Sequence, residues 1–251
     1  MIEVKNLSKS FDGKQVLKDI SAVFENGKTN LIIGQSGSGK TVLMKSIIGL
    51  HQIDNGKIFY DGRNLPDMQT NEIKNLRKEV GMLFQGSALF DSLTVGENVK
   101  FPLEMFSSMS KAEIEERTIF CLNRVNLLHA KDLYPSEISG GMQKRAAIAR
   151  AISLNPKYLF CDEPNSGLDP ITALVIDQLI KEITEEFNIT TIINTHDMNS
   201  VMEIGDNIIF IYKGKKEWQG NKEEIFSSEN QHLQDFVFAS NLYKKIKNAN
   251  K

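Results

Sequence analysis

The sequence has few cysteines, no long apolar run and almost no net charge. Its 251 residues include two cysteines, which lack the partner spacing of a metal site and indicate no disulfide framework. A reducing cytoplasm fits this usage. No stretch approaches the ~18 consecutive apolar residues of a transmembrane helix. We therefore expect that any work at a membrane depends on recruitment by another protein.

The charge pattern and the two ends of the sequence bear on further classes of protein. A formal net charge of −2 gives no overall basic field, so no nucleic-acid partner is expected. The first residues, 1–4, predict a strand and not a signal peptide. Four lysines gather near the carboxyl end, where a solvated tail is favoured and attraction to an anionic membrane surface is the alternative. These are Lys244, Lys245, Lys247 and Lys251.

One glycine-rich stretch fits the phosphate-binding pattern G-x-x-x-x-G-K-[ST]. A predicted buried strand, 29–33, precedes it and a predicted helix, 42–48, follows it, which is the context that this motif requires. The stretch consists of Gly34, Gln35, Ser36, Gly37, Ser38, Gly39, Lys40 and Thr41. Its N–H groups can surround an anion at a helix N-terminus, Lys40 can reach the β- and γ-phosphates, and Thr41 can offer its hydroxyl to Mg²⁺. We predict a P-loop, in preference to a glycine-rich turn that matches by chance.

Two carboxylates end another apolar strand, 157–163. Asp162 has the position of a Walker B-type carboxylate, which holds Mg²⁺ through water. Glu163 comes one residue later and is placed to orient or deprotonate a water that attacks the γ-phosphate. An ordinary acidic strand end is the alternative interpretation.

Gln85 and His196 follow two further predicted strands. Gln85 could contact the metal or the attacking water, and His196 could hydrogen-bond the γ-phosphate. Taken singly, a surface glutamine and a structural histidine are the ordinary interpretations. Strands alternate with helices along the chain, which predicts a largely parallel sheet covered on both faces. Ligands bind beyond the carboxyl ends of such strands, so we expect these residues to share one edge of the sheet.

A second anion-binding helix terminus lies about a hundred residues after the P-loop. Ser139 is a candidate N-cap, and Gly140 and Gly141 expose backbone N–H groups at the helix start. The phosphates are already surrounded by the P-loop of the same chain. This terminus therefore predicts a head-to-tail homodimer in which it closes over the nucleotide of the other copy, so that ATP closes the dimer and hydrolysis releases it.

These motifs together resemble the nucleotide-binding subunit of ABC transporters, over essentially residues 1–220. The matching positions are Gly34–Thr41 (Walker A), Gln85 (Q-loop), Ile138–Met142 (signature), Tyr158–Glu163 (Walker B), Ser166–Asp169 (D-loop) and His196 (switch histidine). By resemblance, Phe11 takes the position that stacks on adenine. In the signature, Ile138 replaces leucine and Met142 replaces glutamine.

The resemblance implies an α/β P-loop NTPase fold, with a mainly parallel sheet, an antiparallel β subdomain and a helical subdomain at about 87–155. Residues 221–251 are expected to form a C-terminal helical tail. The implied activity is hydrolysis of ATP with Mg²⁺, coupled to transport. The implied catalytic residues are Glu163, His196, Gln85 and Lys40, and the implied metal-site residues are Thr41, Gln85 and Asp162.

Several segments give a finer resemblance, to the Mla (MlaF-like) lipid-transport ATPases. They are Pro135–Arg145, Phe84–Val95, Glu97–Val99, Phe101–Leu103 and Asp169–Thr172. The resemblance implies phospholipid transport across the cell envelope, with an MlaE-like permease as direct partner and an MCE-domain protein as indirect one. It places the chain peripherally on the cytoplasmic face of the inner membrane.

Other functions compete with this interpretation. An ATPase subunit of an importer for another solute stays open, since methionine also replaces the signature glutamine in some of them. A DNA-maintenance ATPase would need a coiled-coil insertion, and no sustained heptad pattern appears. A ribosome-acting factor would carry two cassettes, whereas this chain has one P-loop and one signature.

Two surfaces are candidate contacts. Leu89, Phe90 and the helix at 97–106 are predicted to face the permease. In the tail, four residues fall near one helical face, which predicts docking on their own domain or, as the alternative, clasping of the second copy. They are Phe236, Val237, Ser240 and Tyr243.

Overall fold

A computed structural model describes residues 1–239. Its strands are β1 (Ile2–Phe11), β2 (Lys14–Phe24), β3 (Thr29–Ile33), β4 (Asn55–Tyr60), β5 (Arg63–Asn64), β6 (Val80–Leu83), β7 (Tyr158–Asp162), β8 (Thr190–Asn194), β9 (Asn207–Tyr212) and β10 (Lys215–Gly220). Its α-helices are α1 (Lys40–Ile47), α2 (Thr70–Lys78), α3 (Val95–Phe106), α4 (Lys111–Arg124), α5 (Gly140–Ala151), α6 (Pro170–Glu186), α7 (Met198–Ile204) and α8 (Gln231–Val237). Short 3₁₀ turns occur at Leu65–Asp67, Leu128–Ala130 and Pro135–Glu137.

The chain forms two compact units. The first contains Met1–Met68 and the described residues from Ile192 onward, and the second contains Gln69–Thr191. The predicted division at residue 220 and the predicted helical subdomain at about 87–155 stay predictions.

The first unit contains an antiparallel sheet with the strand order β2-β1-β4-β5. Along β1, Ile2, Val4 and Leu7 are buried, which is the alternation expected of a strand with one face on a core. The same unit also contains β9, which pairs in parallel with β3 and antiparallel with β10. All five residues of β3 are buried, as expected for a strand of a parallel sheet that is covered on both faces.

The second unit combines a parallel strand pair with a group of helices. Strands β6 and β7 pair in parallel, with Leu83 opposite Cys161. Helices α3 and α4 begin at capping boxes formed by Thr94 and Ser110. Helix α5 buries alanines against its neighbours, and small side chains of this kind let helices approach closely.

Most predicted elements are confirmed, and two predictions are wrong. The capping box Ser110–Glu113 and the apolar pattern after it predict a helix to about 128, but α4 ends at Arg124. Asn221 as a helix cap predicts a short helix, but the chain forms a series of turns there, although the Asn221 side chain accepts hydrogen bonds from two following N–H groups at 3.0 Å. Within the expected tail, the sequence predicts a last helix at 230–247, which is observed as α8 up to Val237, and its part beyond residue 239 lies outside the described residues. Ser240 and Tyr243 lie there too.

Within residues 1–239, no helix is both long and apolar enough to cross a membrane.

Candidate functional site

The P-loop links β3 to α1 in the first unit. Gly34 has φ +148° and leaves no room for a side chain, because a Cβ there would overlap the carbonyl oxygen of Ile211. Gly39 is the N-cap of α1, with φ +112° and no side-chain cap. A helix start capped by glycine leaves its first N–H groups to bind an anion. The backbone of this segment therefore forms a cradle that side chains would close.

The side chains of the loop fit the phosphates of a nucleotide. Lys40 is 7% exposed, and its ammonium donates to the carbonyl oxygens of Gly34 at 2.8 Å and Gln35 at 3.2 Å. The buried Ser38 hydroxyl has no hydrogen-bond partner within the described residues. Because a buried hydroxyl is costly to leave unpaired, this orphaned group is suited to a phosphate oxygen. Thr41 lies exposed in the first turn of α1, where its hydroxyl is accessible to a metal bound with the nucleotide.

The tip of the β9–β10 hairpin supports the loop from the side. The Gly214 N–H donates to the Ser38 carbonyl at 3.0 Å, and the Gly214 carbonyl accepts from the Lys18 N–H at 2.8 Å. The sequence around Lys213 and Gly214 predicts only a hairpin turn. No local pattern points from Gly214 to a P-loop residue more than 170 positions away, because both bonding groups belong to the backbone.

Phe11, the residue expected to stack on adenine, ends β1 and is 38% exposed. The His51 ring contacts it edge to face, with centroids 5.2 Å apart. The Lys9 ammonium lies 5.0 Å from the ring centroid and also pairs with Asp54 at 3.1 Å. These neighbours hold an exposed aromatic ring at the end of the strand.

His196 follows β8, also in the first unit, and is exposed. The Thr195 N–H donates to the Ile32 carbonyl at 3.2 Å. Residues 195 and 32 precede His196 and the P-loop by one or two positions. The histidine and Gly34 therefore leave the sheet at the same end.

In the second unit, the structure brings together Gln85 and Glu163. The Gln85 side-chain amide donates to a Glu163 carboxylate oxygen at 3.2 Å and lies 3.5 Å from the Ser166 hydroxyl. Parallel pairing of β6 and β7 explains the contact, because Gln85, Asp162 and Glu163 all leave at the carboxyl ends of these strands. Glu163 has φ +47°, a left-handed conformation that is uncommon for residues other than glycine. The sequence carries no signal for that conformation.

Ser139 caps helix α5, as predicted. Its hydroxyl accepts the Met142 N–H at 3.3 Å, and Ser139 and Gly140 are exposed. At Gly141 the helix packs closely, because a Cβ there would come within 2.6 Å of the Thr172 methyl group. The helix N-terminus is therefore glycine-rich, and it is exposed to solvent at Ser139 and Gly140.

Two cations on α5 were missed by sequence analysis. Lys144 is 5% exposed, and its ammonium donates to the Gln85 carbonyl. Burial lowers the pKa of Lys144, while the nearby Cys161 and Glu163 side chains act in the opposite direction. Arg150 donates to the carbonyls of Ala88 at 2.7 Å and Ser87 at 2.9 Å. Since the acceptors are backbone oxygens, only the pair of basic residues is visible in the sequence.

Comparison with known proteins identifies the family. The family model described as "ABC transporter" matches residues 17–166, and the chain belongs to this family. It is 38% identical to the methionine import ATP-binding protein MetN of Clostridioides difficile, over 94% of this chain and 74% of that protein. It is 35% identical to a probable ribonucleotide transport ATP-binding protein, mkl, of Mycobacterium leprae, over 94% of this chain and 68% of that protein.

A solved structure shares the fold. The ATP-binding cassette MJ0796, in a dimeric post-hydrolysis state bound to ADP and Pi, superimposes with a TM-score of 0.79 at 32% identity, over 88% of this chain and 99% of that chain. The α/β P-loop NTPase fold predicted from the sequence is confirmed. The chain is an ABC ATPase cassette, and it binds ATP with Mg²⁺.

Proposed function

We propose that this chain is the ATPase subunit of a lipid transporter, and that it drives phospholipid movement across the cell envelope through a membrane permease. Membership of the ABC transporter family supports the general role. The lipid assignment rests on the resemblance of Pro135–Arg145 and Phe84–Val95 to Mla-type ATPases. The permease is MlaE-like in this proposal, an MCE-domain protein acts beyond it, and the chain lies peripherally on the cytoplasmic face of the inner membrane.

Methionine import is the competing function, because a relative with that name is 38% identical over 94% of the chain. The two functions predict that different molecules, phospholipid or methionine, are transported by the complete transporter. We would purify the chain with its co-expressed permease, reconstitute the complex in proteoliposomes, and measure ATP turnover and transport. Phospholipid transfer that requires ATP supports our proposal. Methionine uptake without phospholipid transfer contradicts it, and neighbouring genes for a permease and an MCE-domain protein would support it independently.

The proposed ATPase chemistry divides among named residues. Lys40 binds the β- and γ-phosphates, Thr41 and Asp162 hold Mg²⁺, and Glu163 orients or deprotonates the attacking water. When bound, Mg²⁺ neutralises phosphate charge. The observation that carries this assignment is the 3.2 Å contact between Gln85 and Glu163. This contact holds the carboxylate at the end of β7 beside the side-chain amide of Gln85, which follows β6. His196 is assigned a hydrogen bond to the γ-phosphate, and Phe11 the stacking contact with adenine.

Two substitutions test these roles. Glu163→Gln should keep ATP binding, abolish hydrolysis and trap a closed dimer, as measured by nucleotide titration and by size-exclusion chromatography with ATP. Lys40→Ala should lose nucleotide affinity, because the proposed role of the ammonium is to bind the phosphates directly. Normal hydrolysis by Glu163→Gln would show that another group is the base.

The signature terminus is proposed to complete the site in a homodimer. The exposed N-terminus of α5 is capped by Ser139 and presents N–H groups suited to an anion at Ser139 and Gly140. Since the P-loop is assigned to the nucleotide of its own chain, the second copy is the natural source of that anion. Dimer formation that requires ATP, measured by light scattering, is the expected outcome. An unchanged monomer mass with ATP and Glu163→Gln would contradict it.

The permease-docking surface is proposed to be a groove in the second unit. A pocket of about 290 Å³ contains the aromatic rings of Phe90 and Phe101, whose centroids are 4.8 Å apart. Its other lining residues include Phe84, Pro102, Phe106 and Arg150. Phe90 is 43% exposed and Phe106 is 50% exposed, and exposed aromatic clusters of this kind are typical of protein contacts. A helix of the permease is the occupant that this proposal assigns.

A charge placed in the groove tests the docking proposal. Phe90→Asp should abolish co-purification with the co-expressed permease while ATP affinity is kept, because it removes the aromatic ring and because docking would desolvate the new charge. Met109→Asp is the matched control, since Met109 is also partly exposed (36%) but is not among the residues that line the pocket. Equal co-purification of both variants would refute this surface.

A further inference from the structure

Helix α5 holds the segment that follows β6 at three points. Lys144 donates to the Gln85 carbonyl, and Arg150 donates to the Ser87 and Ala88 carbonyls at 2.9 and 2.7 Å. Ser87 and Ala88 have φ values of +62° and +49°, in a region that costs free energy for residues other than glycine. Two cations that bond three carbonyls therefore keep this segment in a conformation that it does not favour alone.

Lys144 is the more informative of the two cations. It lies one turn beyond the N-terminus of α5, which starts immediately after the exposed Ser139, and it is 5% exposed. A buried ammonium is costly unless it is bonded. The Gln85 carbonyl provides that bond, and the Gln85 side chain reaches the Glu163 carboxylate at 3.2 Å. Lys144 thus links helix α5 to Gln85, the residue that contacts Glu163.

We propose that Lys144 is a positioning residue for ATP hydrolysis: it fixes the Gln85 backbone to helix α5, so that the position of α5 sets the contact between Gln85 and Glu163. The inference rests on the proposed role of Glu163 as the group that activates water. A change in the position of the signature terminus, at Ser139 and Gly140, can then alter the position of the Glu163 carboxylate in the same chain. Lys144 itself contacts neither the nucleotide nor the metal in this scheme.

A purely structural role is the competing explanation, because a buried bonded cation also stabilises the fold. The two roles differ in kinetics. If Lys144 acts through Gln85, Lys144→Met should lower kcat at least about tenfold, which corresponds to about 1.4 kcal/mol of barrier, while KM and ATP affinity stay within about twofold. Lys144→Arg keeps a charged donor and should recover most of the lost turnover. The matched control is Lys111→Met on the exposed start of α4, for which no change is expected.

A double-mutant cycle on the full chain separates the explanations further. In the Gln85→Ala background, the amide that contacts Glu163 is absent, so adding Lys144→Met should lower kcat by less than about threefold. If the two losses are additive, or if Lys144→Met changes stability in urea without changing kcat, the proposal is wrong. Should Lys144→Met not yield folded protein, Lys144→Gln, whose donor ends one bond short, enters the same cycle.

Glu163→Gln, measured in parallel, keeps this inference distinct from the proposed function. Loss of turnover in Glu163→Gln with an additive cycle overturns the positioning role of Lys144 alone. Turnover retained in Glu163→Gln overturns the proposed role of Glu163, and with it the basis of the inference.

Discussion

Gly214→Ala tests how closely the hairpin tip fits against the P-loop. The residue has φ +82°, and an added Cβ would lie 3.0 Å from the Val16 carbonyl carbon and closer still to its oxygen. These atoms belong to the backbone of β2, so they cannot rotate away as a flexible side chain can. Either β2 or the hairpin tip has to move to admit the methyl group.

Gly62→Ala is the matched control for the cost of the backbone conformation. Gly62 has φ +83°, and a Cβ there would meet nothing within 4 Å among the described residues. Both variants therefore carry the left-handed penalty of about 1–2 kcal/mol. Only Gly214→Ala adds overpacking against backbone, which costs about 1–3 kcal/mol. We expect free energies of unfolding lowered by about 2–5 kcal/mol for Gly214→Ala, the sum of these two costs, and by about 1–2 kcal/mol for Gly62→Ala.

Equilibrium unfolding in urea measures both values, and ATP titration gives a second readout. Because the Gly214 N–H bonds the Ser38 carbonyl at 3.0 Å, movement of the tip should displace the P-loop and weaken ATP binding about fivefold, the equivalent of about one hydrogen bond. Gly62→Ala should leave ATP affinity unchanged. Equal losses of stability in the two variants, with equal ATP affinities, would refute the close fit of the hairpin tip.

Three further predictions concern the second unit. Ser139→Ala and Ser110→Ala should each lower the free energy of unfolding by about 1 kcal/mol through loss of an N-cap, but only Ser139→Ala should weaken ATP-dependent dimer formation; equal dimerisation would refute the role of the signature terminus. Arg150→Met should lower the free energy of unfolding by about 2–4 kcal/mol, since it removes two charge-assisted hydrogen bonds, and a loss below about 0.5 kcal/mol would refute that contribution. Burial raises the pKa of Cys121 to about 11 and also raises that of Cys161, so iodoacetamide at pH 8 should label both thiols only after unfolding, whereas rapid labelling of native protein would contradict their burial.

Much of the framework follows from local sequence signals. The P-loop, the Ser139 cap and the start of α6 at Asp169-Pro170 each depend on residues within a few positions of one another. Such signals can be recognised in the sequence because the interacting groups are neighbours in the chain. The strand-end positions of Gln85 and Glu163 were also predictable, since apolar runs mark the strands that precede them.

The contacts that support the site were not predictable in the same way. Lys144 and Arg150 bond carbonyl oxygens about 60 positions away, and a backbone acceptor places no requirement on residue type. The left-handed conformation of Glu163 is likewise set by its surroundings and not by its own preference. Groups that carry chemistry are therefore easier to recognise in a sequence than the groups that hold them in place.

Helix α5 connects three features that the sequence presents separately. Its N-terminus carries the signature glycines, Lys144 holds Gln85 in the middle, and Arg150 lines the groove at its end. Twelve residues of α-helix span about 18 Å, and a helix of this length transmits displacement along its axis with little internal bending. A partner in the groove therefore cannot shift the end of α5 without also shifting Lys144. Docking in the aromatic groove should therefore stimulate hydrolysis through the bond between Lys144 and Gln85. Loss of that bond should remove the stimulation while docking itself is kept.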